Sequence, residues 1–251
     1  MSTASVDGMI ADTDAADDAA FVDQLDTPAL KRRFDADNEF LFLDEFLPAD
    51  VTARFQARIP DLTEAIHRNY IPKHKKGGSV SRYTLDELAP EIVALYRNPR
   101  FIAWLEAMTG ETLEICPESD PHAYALYFYT EAGDHIGWHF DTSYYAGKRY
   151  TLLLGVIDES SSKLEFELFK NDDERETVSD ARNLRPGAMC FFNGDEVWHR
   201  ITPLGENERR ISLTFEYVTD THMSRWRRFV SNMKDSIAYF GFKQVFKRNK
   251  R

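Results

Sequence analysis

Residues 135–141 read His-Ile-Gly-Trp-His-Phe-Asp, HIGWHFD. On a regular strand, alternate side chains share a face. Read as a strand, the stretch turns His135, Gly137, His139 and Asp141 to one side and Ile136, Trp138 and Phe140 to the other. His139 and Asp141 then form an H-x-D pair whose imidazole and carboxylate can reach one ion. The reading holds only if the surrounding chain is also β.

The surroundings have that pattern. After Gly110 the chain breaks into short runs: TLEIC, HAYALYFYT, IGWHFD, YTLLLGVI, KLEFELFK, GAMCFFN, HRIT and RISLTFEYV. Between them stand turn sequences such as AGD, YAGK, DESSS, RPG, NGDE and PLGENE. Short strands at this spacing indicate a β-sandwich or a double-sheet jelly roll. Further out the periods become helical. Pro48 opens a helix with Val51, Phe55 and Ile59 on one face, and a second helix is expected over Leu62 to Arg68. DELAPEIVALYRNPRFIAWLEAMTG reads as two helices broken at Pro99 and capped by Gly110, and FLFLDEFLP before them as a buried strand. IPKHKKGGSVSRYTL reads as a basic loop. Trp226, Phe229, Val230, Met233, Ile237 and Phe240 mark one face of a C-terminal helix that stops at Gly241.

The expected fold is therefore mainly β with flanking helices: a double-stranded β-helix (jelly roll) core, an N-terminal helical layer and a C-terminal helix. Residues 1–30, with seven aspartates and no Lys or Arg, are expected to form an acidic, disordered leader. Residues 31–251 then make one domain, with the helical layer at 31–110, the jelly-roll core at 111–220 and the C-terminal helix and basic tail at 221–251.

Composition narrows the function. The chain has 251 residues, 43% hydrophobic and 29% charged, with a net charge of -11. An acidic body repels nucleic acid, although residues 224–251 carry nine Lys or Arg against one aspartate. No run of eighteen apolar residues offers a membrane span, and the N-terminus lacks a secretory pattern. Two cysteines, Cys116 and Cys190, read as reduced core thiols. The expected location is cytoplasmic.

H-x-D alone is weak evidence. A third ligand is available in His199, at the start of a later strand. Two histidines and a carboxylate on one β scaffold are the facial triad of non-haem iron(II) oxygenases. Eleven residues on, RISLTFEY alternates cleanly. Ile211, Leu213, Phe215 and Tyr217 suit packing against helices, which leaves Arg210, Ser212, Thr214 and Glu216 lining an interior. A buried arginine demands a carboxylate. The partner is either a ligand or a core glutamate.

These elements, His139-Phe-Asp141, His199 and Arg210-x-Ser212, resemble the Fe(II)/2-oxoglutarate-dependent dioxygenase superfamily over roughly residues 120–220. The resemblance implies that His139, Asp141 and His199 bind Fe(II) and carry the catalysis. It implies that Arg210, helped by Ser212, grips the distal carboxylate of 2-oxoglutarate, and that dioxygen is the oxidant. Such enzymes often add a tyrosine from a neighbouring strand. Tyr129 and Tyr127 are the candidates here, and each reads equally well as core. The longer context, EAGDHIGWHFDTSYYAGKRYTLLLGV, is similar to the carrier-protein-free amino-acid halogenases and their hydroxylase relatives. Those halogenases replace the metal-binding carboxylate with glycine. This chain keeps Asp141, which favours hydroxylation of an unactivated C–H on a free, cationic amino acid.

Substrate contacts are less sharply marked. His135 either faces substrate or is a hydrogen-bonded histidine at the barrel mouth. Thr142 and Tyr145 follow the triad and can wall the pocket. Glu118 and Asp120 can receive a substrate ammonium or be turn acids. Arg82 and Lys76 can hold a substrate carboxylate or be surface cations. Trp226 can close the pocket or be core. Competing readings are a non-catalytic jelly-roll metal-binding or sensor protein, and a 2-oxoglutarate oxygenase acting on a protein or nucleic acid.

Overall fold

The computed structural model of the chain describes residues 18–223. A 3-10 turn at Ala20–Gln24 leads into α1 (Thr27–Ala36), β1 (Phe40–Leu43), α2 (Ala49–Thr63), β2 (His67–Ile71) and β3 (Lys75–Ser81). Three helices follow, α3 (Arg82–Leu88), α4 (Pro90–Arg97) and α5 (Pro99–Thr109). Then come β4 (Glu114–Ile115), β5 (Tyr124–Tyr129), β6 (His135–His139), β7 (Arg149–Glu159), β8 (Leu164–Leu168) and β9 (Val178–Arg182). The last elements are β10 (Met189–Asn193), β11 (Trp198–Ile201) and β12 (Arg209–Val218). The strands form one curled antiparallel sheet in the order β1-β10-β7-β12-β5-β3-β6-β11-β8-β9, with β2 on β3 and β4 on β12. This is the jelly-roll arrangement expected from the sequence.

Alternation on β12 divides the molecule in two. Ile211, Leu213, Phe215 and Tyr217 join the helices in the larger core, against residues such as Phe55, Leu95 and Phe101. Arg210, Ser212, Thr214 and Glu216 are buried on the opposite face, inside the curl of the sheet. A second apolar cluster, with Phe40, Phe166, Phe192, Val197 and Ile201, fills that interior. The helix ends also follow the sequence. Asn98 caps α5 by accepting from the backbone N–H groups of Arg100 and Phe101, Pro99 is its first residue, and Gly110 ends it at φ 74°.

Three expectations need correction. Order begins before Lys31. The leader assigned to 1–30 already contains the 3-10 turn and the start of α1, because Asp26 caps α1 through Ala29 N–H and Ala19 and Val22 are buried in the core. The second helix at Leu62 to Arg68 does not form. α2 runs to Thr63, and His67–Ile71 is a strand. The basic loop is β3, which pairs with β2, β5 and β6, so the boundary of a helical layer at residue 110 is crossed by β1–β3. Gly78 explains how a weak strand former fits: a Cβ there would lie 2.4 Å from Ile66 Cγ2. Sheet pairing overrides local propensity. Residues 1–17, the C-terminal helix with Trp226, and the basic tail from 224 lie outside the described residues. Among the described residues no helix is long and apolar enough to cross a membrane. Cys116 and Cys190 are free and buried.

Candidate active site

The site is made where β6 and β11 meet. His139 and His199 are paired across the two strands, with ring centroids 4.3 Å apart. Asp141 lies just past the end of β6. Its Oδ1 is 3.4 Å from His139 Nε2 and its Oδ2 is 3.6 Å from His199 Nε2. One ligand atom from each of the three lies within 4.8 Å of the others.

The unused ring nitrogens explain the orientation. His139 Nδ1 is 2.8 Å from Gly137 O, and His199 Nδ1 is 3.0 Å from Val197 O. Donation to a carbonyl fixes Nδ1–H and leaves each Nε2 lone pair aimed at the centre. Burial, followed by the nearby His139, pushes His199 down to about 4, so its imidazole is neutral. Burial pushes the Asp141 carboxyl up, but the two histidines outweigh it and hold the group well below the usual carboxylate range. A neutral imidazole at His199 and an ionised carboxylate at Asp141 are forms in which those groups can take a divalent cation.

Asp141 is supported from behind. Thr151 Oγ1, on β7, lies 3.0 Å from Asp141 Oδ2 and 2.9 Å from Glu216 Oε2. Arg149 Nε donates to Glu216 Oε2 at 2.8 Å. Gly194 lets the chain pass: a Cβ there would lie 2.4 Å from Asp141 O and 2.9 Å from its Cβ.

Arg210 sits deeper in the same pocket, with 1% of its surface exposed. Its Nη1 reaches Ser162 O at 3.4 Å. Its Nε and Nη2 have no hydrogen-bond partner among the described residues. A buried guanidinium with two unmet N–H directions is costly and fits a carboxylate. Ser212, Tyr129, Tyr127, Thr142, Asp120 and Tyr145 line the same pocket.

Other sequence-assigned residues stand elsewhere. His135 does not line the pocket; Ile136 does. Between the pairs His199–His139 and Ile201–Ile136, β6 has one more residue than β11, a bulge that shifts the alternation. His135 and His139 therefore do not share a face as a regular strand predicts, and His135 Nδ1 meets Gly133 O at 2.8 Å. Glu118 is not among the lining residues. Arg82 is buried away from the site, donating to Pro117 O at 3.1 Å and lying over the Tyr124 ring. Lys76 donates to Ala132 O at 2.7 Å. Trp138 stacks on Trp198 at 6.2 Å, as its place on the opposite face suggests. The sequence reading missed Thr151 and Arg149. Alternation along β7 puts Arg149 and Thr151 on one face with Leu153, but the partner that gives both their meaning, Glu216, lies on β12.

A family model described as Halogenase D matches residues 22–147. The chain belongs to the halogenase D family. The matched part of this halogenase D member contains His139 and Asp141, while His199 and Arg210 lie beyond it. No curated protein sequence matches. Solved structures share the fold. The α-ketoglutarate-dependent epimerase SnoN from nogalamycin biosynthesis superposes with a TM-score of 0.62 at 17% identity, over 76% of this chain and 80% of its own. A prolyl hydroxylase from Trichoplax adhaerens does so at 0.61 and 11%, over 82% and 92%. A 2OG-Fe(II) oxygenase family protein from Burkholderia pseudomallei does so at 0.61 and 13%, over 80% and 95%. The halogenase D match meets the resemblance read from the sequence over the part that contains His139 and Asp141, and the solved structures share the expected jelly-roll fold.

Proposed function

We propose that this halogenase D family member is an Fe(II)/2-oxoglutarate-dependent oxygenase that hydroxylates an unactivated C–H of a free amino acid. The observation that carries the reading is the pairing of two features in one pocket: the His139, Asp141 and His199 cluster, and the buried guanidinium of Arg210, whose Nε and Nη2 have no partner among the described residues. SnoN, which shares the fold at a TM-score of 0.60 and 16% identity, is known in complex with Fe3+, α-ketoglutarate and nogalamycin RO.

In this reading the two Nε2 atoms and Asp141 hold the metal. Arg210 takes the far carboxylate of 2-oxoglutarate, with Ser212, Tyr129 and Tyr127 beside it. When bound, Fe(II) and 2-oxoglutarate supply the activation of dioxygen needed to break a C–H bond. The chain contributes placement: Ile136, Leu153 and Ile201 keep the wall near the metal ligands apolar, and Thr151 holds the Asp141 carboxylate in one orientation. Substrate meets the outer wall, formed by Asp120, Thr142 and Tyr145. Asp120 accepts from Tyr145 Oη at 2.6 Å and from His122 N–H at 2.8 Å, and a carboxylate keeps further lone pairs for a substrate ammonium.

Asp141 also supports hydroxylation over halogenation. The resembling halogenases have glycine where this chain has a carboxylate. Here that carboxylate is hydrogen-bonded by Thr151, and the backbone behind it requires Gly194. The test is a screen of free amino acids for succinate formation in buffer containing chloride. The expected result is at least one amino acid that raises succinate well above the substrate-free rate and gains one oxygen atom. A chlorinated product would contradict hydroxylation, and no stimulation by any amino acid would contradict the substrate class.

Thr151→Val tests the support behind the metal ligand. Loss of an outer hydrogen bond to a ligand typically costs about 10–100-fold in metal affinity. Chelator competition for Fe(II) should show a loss of that size, with the melting temperature of the metal-free protein shifted by only a few degrees.

A further inference from the structure

The pocket holds a second arginine that the 2-oxoglutarate reading leaves unused. Arg149 begins β7, and its side chain is 12% exposed. Its Nε is engaged by Glu216 at 2.8 Å. Its two Nη groups hydrogen-bond to none of the described residues, and the side chain lines the same pocket as the metal cluster. A guanidinium fixed by its Nε edge presents its Nη edge as a ready fork for a carboxylate.

This cation and Arg210 serve different anions. Glu216, the partner of Arg149, lies on the same strand as Arg210 but six positions on, about 20 Å along an extended chain. The two guanidinium groups thus start from well-separated backbone positions, and the 2-oxoglutarate titration of the Arg149 variants separates their roles. Arg149 is instead two residues, about 7 Å, from Thr151, the residue that touches Asp141. It therefore lines the pocket beside the residues that support Asp141.

The surrounding charge narrows the ligand. Glu216, Asp120 and Asp141 all act on Arg149. A dianion such as phosphate would be repelled by these acids. A zwitterion fits, with its anionic end on Arg149 and its ammonium on Asp120. We propose that Arg149 is the subsite for the α-carboxylate of the substrate, gripped bidentately through its two Nη groups. This rests on the amino-acid oxygenase reading above. The sequence assignment of a carboxylate partner to Arg82 or Lys76 is thereby replaced.

The experiment uses the full chain, loaded anaerobically with Fe(II) and 2-oxoglutarate, and reads the perturbation of the visible metal-to-ligand charge-transfer band. The probes are the proteinogenic amino acids and their carboxamides, which keep the ammonium but lose the anion. At least one free acid should perturb the band, with its carboxamide binding at least about tenfold more weakly, the size of a lost charge-assisted contact. Arg149→Gln should erase that difference by weakening the acid about 10–100-fold, and Arg149→Lys should restore part of it. The unperturbed 2-oxoglutarate titration of each variant shows that it is folded and that the cosubstrate does not use Arg149.

Retention of the acid–carboxamide difference in Arg149→Gln would overturn the assignment, leaving Arg149 a structural partner of Glu216. A 2-oxoglutarate requirement raised in Arg149→Gln would overturn it too. Loss of the band in both Arg149 variants, with normal 2-oxoglutarate binding in the intact protein, counts against it in the same way. If the band forms but no probe perturbs it, the carboxylate subsite and the amino-acid class both fall while the oxygenase reading stands. If no band forms in the intact protein, the oxygenase reading itself has failed.

Discussion

Replacing Arg210 by methionine should make the ligand-free protein more stable and the enzyme far worse. Without cosubstrate, Arg210 is a charge at 1% exposure whose Nε and Nη2 have no partner among the described residues. Burial lowers its pKa, the mark of a charge held at a cost. Exchanging such a buried charge for an apolar side chain of similar length often stabilises by about 1–4 kcal/mol. Binding should change in the opposite direction. Two charge-assisted hydrogen bonds at about 1.5–3 kcal/mol each correspond to a loss of a hundredfold or more in 2-oxoglutarate affinity. Thermal melts of the ligand-free protein, set beside 2-oxoglutarate titrations, test both signs. A variant less stable than the parent, with unchanged 2-oxoglutarate affinity, would show that Arg210 is a structural residue.

Replacing His199 by alanine should remove the metal. His199 is buried against Phe192, with Nδ1 fixed on Val197 O and Nε2 facing Asp141. A four-ligand structural zinc site gives about 10–16 kcal/mol, or about 2.5–4 kcal/mol per donor, so one lost ligand costs about two to three orders of magnitude in affinity. Activity should fall at least as far. Asp141 then loses an adjacent imidazole but keeps His139 and Thr151. Iron content after gel filtration is the measurement. Full iron retention in His199→Ala, with activity intact, would place the metal elsewhere.

Much of this was legible because two strands carry their information in local alternation. β12 has an apolar face for the helices and a polar face for the interior, so its alternation alone turns Arg210 and Ser212 inward. His139, Asp141 and His199 were legible by residue type and order. Asn98, Pro99 and Gly110 announced α5 through capping chemistry that acts over three or four residues.

The remainder depended on contacts remote in sequence. β3 is basic and contains Gly77 and Gly78, and only its partners β2, β5 and β6 make it a strand. The extra residue in β6 has no local signature, so the face assigned to His135 was off by one position. β9, Val178–Arg182, is almost wholly exposed, and pairs with β8 without an alternating pattern. Arg149 becomes meaningful only when Glu216, sixty-seven residues later, takes its Nε. The start of order before Lys31 rests on Ala19 and Val22 finding the core, which composition alone does not reveal.

The most direct test of the account is a spectrum of the intact protein. The protein is loaded with Fe(II) under anaerobic conditions, 2-oxoglutarate is added, and the visible region is recorded. Chelation of a metal held by His139, Asp141 and His199 predicts a weak metal-to-ligand charge-transfer band that saturates with 2-oxoglutarate. Bound iron with no band at saturating 2-oxoglutarate would contradict the account, leaving a metal-binding jelly roll without its cosubstrate.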